Sequence, residues 1–198
     1  MSAFNDCRAV EQRSFDILKP YFAEATDDGR YVLTDKGRLA ADLQQKYGDV
    51  VAQKNGDVVC IEVKAEESNH WGNFFLEEWS NRSRFNPGWL LKLDTDYLFY
   101  HFIESDELYI LDFPKLQYWA FIEPGILTGF PGRLYDFPSK PQTKRVQRND
   151  TWGRCVPIFQ VLDGVSHKVV NPRTGGSAVP PPPPPVATQC SMFDSEVL

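Results

Sequence analysis

An Asn55-Gly56 pair between two β-branched runs is the feature that most restricts how this chain folds. Both residues accept positive φ, so the pair favours a two-residue turn between antiparallel strands. If they form the turn, Lys54 faces Asp57, and the same register places Asp49 opposite Glu62. Directly opposed residues have Cβ atoms ~4.5–5.5 Å apart. The sequence therefore predicts a hairpin over residues 49–64 in which two carboxylates face each other.

Alternation of residue type along the hairpin supports this register. One face is wholly apolar and consists of Val50, Ala52, Val59, Ile61 and Val63. The opposite face carries Asp49, Glu62 and Lys64 at the end away from the turn, because side chains alternate along a strand. A shift of one residue would exchange the two faces. Facing carboxylates repel each other, and a bound divalent cation would reverse that repulsion.

These charged residues resemble the signature of the PD-(D/E)XK nuclease superfamily. The signature is an acid at the start of one strand, a hairpin, and Glu-x-Lys on the next strand, here Asp49 and Glu62-Val63-Lys64. Gly48 precedes Asp49 where the family name has proline. The resemblance covers residues 7–122. It implies an α/β fold with a restriction-endonuclease-like core, in which helices flank a central mixed β-sheet in an αβββαββ-like order.

The resemblance also implies a metal-dependent nuclease that hydrolyses DNA through Asp49, Glu62 and Lys64. Asp49 and Glu62 would bind Mg²⁺ or Mn²⁺, and the backbone carbonyl of Val63 would be a further ligand. An additional acid is expected from Glu77, on the next strand, or from Glu11, on the first helix. The ion would activate a water molecule, and the lysine would orient that water beside the phosphate.

The chain has a net charge of −6, so only local clusters of basic residues offer positive charge to nucleic acid. Two such clusters are the predicted sites of contact with DNA. One group surrounds residues 82–92 and includes Lys92, and the other lies within residues 133–154. A solvated loop surface is the alternative interpretation of both. The predicted phosphate contacts are Arg82, Arg84, Lys144, Arg145 and Arg148.

Hydrophobic periodicity predicts one folded domain over residues 1–170 and a tail over residues 171–198. The domain begins with a helix over residues 7–25. After the hairpin, residues 73–80 are helix or strand, and their aromatic enrichment favours a strand. Residues 154–170 are predicted to hold one or two more strands, over 156–162 and 167–170. The tail contains six consecutive prolines at 180–185, which favours a disordered, extended spacer. Residues 180–198 are a predicted docking segment for a protein partner.

Two functions besides nuclease activity fit the same sequence. One is a nuclease-fold domain that binds nucleic acid or protein without cleaving, because a fold is often retained after its catalytic activity is lost. The other is an adaptor that works through the proline-rich tail.

The four cysteines and three histidines lack zinc-ligand spacing. No signal peptide and no apolar run of bilayer length is present, so we expect a cytoplasmic protein without a membrane partner. The sequence leaves its oligomeric state open, and a dimer is one alternative.

Overall fold

A mixed six-stranded sheet forms the centre of the molecule. The computed structural model describes residues 3–24, 26, 29–34, 40–92, 94–121 and 150–175. In spatial order, the strands are β1 (Tyr31–Leu33), β2 (Val50–Lys54), β3 (Asp57–Glu66), β6 (Tyr97–Phe102), β7 (Glu107–Asp112) and β9 (His167–Val170). Strands β3 and β6 run parallel, and the other neighbours in this sheet are antiparallel. The predicted α/β class with a central mixed sheet is confirmed.

A second, three-stranded antiparallel sheet packs beside the first. It has the order β5 (Asn86–Pro87), β4 (Asn73–Asn81) and β8 (Trp152–Pro157). Short 3₁₀ helices over Arg82–Arg84 and Trp89–Leu91 flank β5. The strand predicted over residues 73–80 is confirmed. The strand predicted over residues 156–162 is wrong, because β8 ends at Pro157 and a helix begins at Ile158.

In the described part of the chain, four helices cover the sheets: α1 (Ala3–Glu24), α2 (Ala40–Tyr47), α3 (Phe113–Phe121) and α4 (Ile158–Gly164). Helix α1 packs Leu18 and Phe22 on one face of the central sheet. That face is the apolar side predicted for the hairpin, and Val50, Ile61 and Val63 are almost fully buried in it. No helix in the described part of the chain is both long and apolar enough to span a membrane.

The opposite face of the central sheet packs against the second sheet. Tyr100 and Tyr109 contact Phe74 of β4, with ring centroids 4.7 and 5.2 Å apart. Strand β3 presents Glu62 and Lys64 near its end, so polar residues border this apolar layer. The cluster comprises Phe74, Leu76, Leu98, Tyr100, Phe102, Tyr109, Leu111, Leu116, Trp119 and Val156 among others.

The hairpin adopts the predicted register. Lys54 pairs with Asp57 and Val50 pairs with Ile61. The two turn residues have positive φ, 54° at Asn55 and 86° at Gly56, as this turn requires. The register therefore follows from the turn.

The last described residues lie at the predicted boundary of the tail. Residues 171–175 form a turn that is held on the loop before β7, where the Asn171 amide donates to the Asp106 carbonyl over 2.8 Å and the Arg173 N–H donates to the Asp106 carboxylate. The rest of the tail lies outside the described residues. The same is true of the predicted phosphate contacts Lys144, Arg145 and Arg148.

Candidate active site

Gly48 ends helix α2 and turns the chain directly into β2. Its φ is 85°, a left-handed conformation that glycine adopts without steric cost. Its N–H donates to the Gln44 carbonyl over 3.0 Å, which satisfies a carbonyl at the end of the helix. A Cβ at this position would lie 2.7 Å from the carbonyl oxygen of Ile61. Glycine in place of proline before Asp49 therefore has a local structural reason.

The Asp49 carboxylate is built into the edge of the sheet. The residue lies one position before β2, and its N–H donates to the Ile61 carbonyl over 2.8 Å. Its Oδ2 accepts a hydrogen bond from the Val63 N–H at 2.8 Å, and Oδ1 accepts one from the side-chain amide of Gln44. The side chain thus extends the β2–β3 ladder beyond the last backbone pair, and it is fixed by two donors.

Glu62 is buried between two lysines. Its exposed fraction is 1%. The Lys64 Nζ lies 2.9 Å from Oε1, and the Lys92 Nζ lies 3.4 Å from Oε2. The second contact is an ion pair without hydrogen-bond geometry, and Oε2 accepts no hydrogen bond from the described residues. Burial raises the pKa of Glu62 to about 7, aided by the charge of Asp49 and opposed by Lys64 and Lys92.

Lys64 connects the two acids electrostatically. Burial acts to lower its pKa, but the charges of Glu62 and Asp49 outweigh that effect, so the pKa of Lys64 lies above its ordinary value. The charge of Glu77 acts in the same direction. Lys64 is therefore protonated at neutral pH, which suits an ammonium group that stabilises a phosphate more than one that removes a proton.

A cavity of about 140 Å³ opens between α1 and the sheet edge at this point. It has room for several water molecules. Glu11 of α1 lines it together with Asp49 and Lys64. The cavity is therefore lined by Glu11, one of the two additional acids expected from the sequence, and by the predicted catalytic residues Asp49 and Lys64.

Val63 also lines this cavity. Within a strand, the N–H and C=O of one residue point towards the same neighbour. Because the Val63 N–H points to Asp49, its carbonyl points past the end of β2. This direction suits the metal-ligand role expected for the carbonyl.

Oxygen donors at this site fit a magnesium ion that keeps most of its water ligands. Mg²⁺ is usually held by one or two carboxylates and retains several waters. Asp49 and Glu62 supply two carboxylates, and Glu62 Oε2 is a buried oxygen with no hydrogen-bond donor among the described residues. Those residues contain no group of three or more His, Cys, Asp or Glu arranged to hold a metal. An entering ion would also compete with the ammonium groups of Lys64 and Lys92 for Glu62.

Lys92 and Gln44 belong to this site, although the sequence reasoning did not place them there. Lys92 was grouped with the surface arginines, but it is only 7% exposed and donates to the Gln44 carbonyl. The Gln44 amide in turn holds Asp49. A usable signal was present, because Lys92 follows Trp89-Leu90-Leu91 and precedes Leu93, and a lysine inside an apolar run needs a buried partner.

Arg82 and Arg84 do not join this cluster. Both are exposed, and they follow the end of β4 five positions or more beyond Glu77. At 3.3 Å per residue that separation along the strand is ~17 Å. The predicted phosphate contacts that the structure describes therefore form a region separate from the candidate site.

Asp49, Glu62 and Lys64, the residues predicted to act together, meet at the end of β3 with Lys92 as a fourth member. Comparisons with protein-family models, with curated proteins and with solved structures find no match to this chain. The resemblance therefore rests on these residues and their arrangement.

Proposed function

We propose that the chain is a metal-dependent nuclease with a restriction-endonuclease-like core that hydrolyses phosphodiester bonds in DNA. The supporting observation is the meeting of Asp49, Glu62 and Lys64 at the end of β3, beside a cavity. A buried ion cluster adds little net stability, because desolvation offsets its Coulombic gain. Two acids and two lysines at one strand end therefore favour a chemical role over a structural one.

The acids would hold the ion with the Val63 carbonyl, and Glu11 or Glu77 would supply a further oxygen. When bound, a divalent ion polarises the scissile phosphate and lowers the pKa of an attacking water. The chain contributes orientation. The Val63 N–H and the Gln44 amide hold the Asp49 carboxylate in place before substrate arrives. Such fixed geometry lowers the cost of reaching the transition state.

Lys64 would stabilise the charge that develops on the phosphate. Its ammonium is held 2.9 Å from Glu62 Oε1 and borders the cavity with part of its surface exposed. A preorganised cation of this kind is worth most when it faces the charge of the transition state. Lys64 is therefore the residue on which cleavage should depend most.

A domain that binds nucleic acid or protein without cleaving is the second candidate function. It is favoured by the lysines, which already balance the charges of Asp49 and Glu62 without a metal ion. The part of the chain that the structure describes also lacks a three-residue metal cluster. The adaptor hypothesis depends on residues 180–198, which lie outside that part.

A digestion panel tests the proposal. Linear, circular, single-stranded and junction DNA are incubated with the full chain in Mg²⁺, in Mn²⁺ and in EDTA. Wild type should cleave at least one substrate in a metal-dependent manner, and Lys64→Ala should not. Lys168→Ala is the matched control, because Lys168 is an exposed lysine on β9.

Equal cleavage by Lys64→Ala and wild type would disprove the assignment of the site. Calorimetric titration with Mn²⁺ then separates the second candidate. A nuclease should bind the ion in wild type and lose it in Asp49→Asn, whereas a non-cleaving domain has no requirement for metal at this position.

A further inference from the structure

Phe85 is the most exposed large apolar side chain among the described residues, with 81% of its surface accessible. Its φ of 55° is left-handed, which is uncommon for a bulky residue. Such conformations persist only where the surrounding structure imposes them, and they concentrate at ligand-binding and switch sites. Packing therefore does not explain the exposure and the left-handed conformation of Phe85.

Hydrogen bonds within the turn impose this conformation. We call residues 82–85, which connect β4 to β5, the β4–β5 tip. The Asn81 side chain accepts a hydrogen bond from the Arg84 N–H at 3.0 Å. The Phe85 N–H donates to the Arg82 carbonyl, also at 3.0 Å. The tip is thus closed on itself with the Phe85 ring pointing outward.

Asp150 fixes the tip from the side of β8. Its carboxylate accepts from the Ser83 N–H at 3.1 Å and from the Ser83 hydroxyl at 2.6 Å. Its carbonyl accepts from the Arg82 N–H at 2.7 Å. The Arg82 guanidinium stacks over the Trp152 ring, 4.2 Å from the ring centroid. A single aromatic residue and two arginines are therefore presented on a supported turn.

The tip is linked to the candidate site through the chain on both sides. It follows β4, whose Glu77 acts on Lys64. It continues through β5 to Gly88, whose N–H donates to the Glu78 carbonyl over 2.7 Å, and then to Trp89, whose ring centroid lies 6.0 Å from the Lys64 Nζ.

We propose that the β4–β5 tip binds unpaired nucleotides, with Phe85 stacked on a base and Arg82 and Arg84 in contact with the flanking phosphates. Aromatic stacking combined with arginine contacts is how proteins bind single-stranded nucleic acid without reading its sequence. The proposal rests on the nuclease function and makes it more specific, because it assigns a substrate with single-stranded character near the cleavage point.

Fluorescence anisotropy in EDTA tests this contact without cleavage. The probe is a labelled DNA single strand of about 20 nucleotides, longer than the ~4–16-nucleotide sites of single-strand-binding domains, and the comparison is its duplex. Phe85→Gly removes the ring and suits a φ of 55°, so the variant should fold and its Tm should rise. Tyr118→Ala removes another exposed aromatic ring, on α3, as a matched control.

Phe85→Gly should weaken single-strand binding about tenfold or more, with a smaller effect on duplex. Phe85→Trp should retain the affinity, and Tyr118→Ala should match wild type. The contact is overturned if wild type binds no single strand, if Phe85→Gly binds as wild type, or if duplex binding falls equally.

Lys64→Ala separates this inference from the nuclease proposal, because it should lose cleavage while its single-strand binding still depends on Phe85. If wild type binds in a Phe85-dependent manner and cleaves nothing, the contact stands and the nuclease proposal fails. If wild type cleaves and Phe85→Gly binds and cleaves equally well, the nuclease proposal stands and the contact fails.

Discussion

Glu62 and Glu78 are two buried carboxylates with the same raised pKa, about 7, in different surroundings. Burial is the main cause in both. Glu78 lies in the second sheet and pairs with Arg154, whose Nε is 3.4 Å from Oε1, and the charge of Arg82 also acts on it. Glu62 contacts two lysines and feels the charge of Asp49, and Asp49 and Lys64 line a cavity. The comparison teaches that a shifted pKa alone does not separate the two carboxylates, whereas their charged neighbours and the adjacent cavity do.

The largest expected contrast is in cleavage by the isosteric pair Glu62→Gln and Glu78→Gln. Glu62→Gln should slow DNA hydrolysis at least about a hundredfold, because it removes one of the two carboxylates proposed to hold the metal ion. Glu78→Gln should stay within a few fold of wild type, since its carboxylate pairs with Arg154. Initial rates on the best substrate of the digestion panel measure this. Equal losses in both variants would remove the distinction between the two sites.

The next prediction concerns the stability contributed by Asp49, the second acid near Glu62, which has no counterpart near Glu78. Two facing acids by themselves would predict that Asp49→Ala stabilises the metal-free protein. The hydrogen bond from the Val63 N–H reverses this expectation, because the variant leaves a buried donor without an acceptor. We expect a loss of about 2 kcal/mol in the free energy of unfolding. Asp49→Asn keeps an oxygen acceptor and should lose less. Urea denaturation in EDTA measures both, and a more stable Asp49→Ala would show that repulsion dominates.

Both carboxylates should make the metal-free protein less stable as pH rises. Burial raises the pKa of each to about 7 in the folded state, above the ordinary value of 4.5. Between those values the folded state binds more protons than the unfolded state, so stability falls from pH 4.5 to pH 7 and is level above. We expect about 2–3 kcal/mol from each residue.

Differences between variants isolate this pH effect. Burial of His101 lowers its pKa to about 4, so His101 removes stability as pH falls from 6.5 to 4, in the opposite direction. The quantity to compare is therefore wild type minus Glu62→Gln, or wild type minus Glu78→Gln, at pH 5 and pH 8 in EDTA. A difference that does not change with pH would contradict a raised pKa at that residue.

The smallest expected effect is stabilisation by the ion itself. At pH 8, Mg²⁺ or Mn²⁺ at ten times its Kd should stabilise wild type by about 1.4 kcal/mol. The gain should persist in Glu78→Gln and disappear in Glu62→Gln. Thermal unfolding with and without the ion measures it. Equal gains in both variants would place the bound ion elsewhere.

Local sequence signals predicted the hairpin well. Asn55-Gly56 sets the turn, and alternation sets the register and the buried face, so Val50, Ile61 and Val63 are found where they were expected. The helix at Ile158–Gly164 was mistaken for a strand, because a short apolar run has no decisive period and its burial at Ile158 and Val161 depends on the neighbouring layers.

The composition of the site was less predictable, because its members are distant in sequence. Lys92 follows β4 and β5 along the chain and meets Glu62 only through the tertiary fold. Gln44 reaches Asp49 because Gly48 ends α2 at that point. The local sequence around Lys92 and around Gln44 does not identify the residue that each one contacts. Sequence reasoning therefore predicted the residues on the hairpin and missed those that other elements bring to it.

The parallel pairing of β3 with β6 has a kinetic consequence. Everything between these strands, from β4 to Lys92, lies within one long connection that has to close before the two strands pair. Non-local closure of this kind is slow compared with forming a hairpin. We therefore expect Asp49 and Glu62 to come together early in folding and Lys92 to join them late, so that a partly folded chain holds two acids without their full complement of counter-charges.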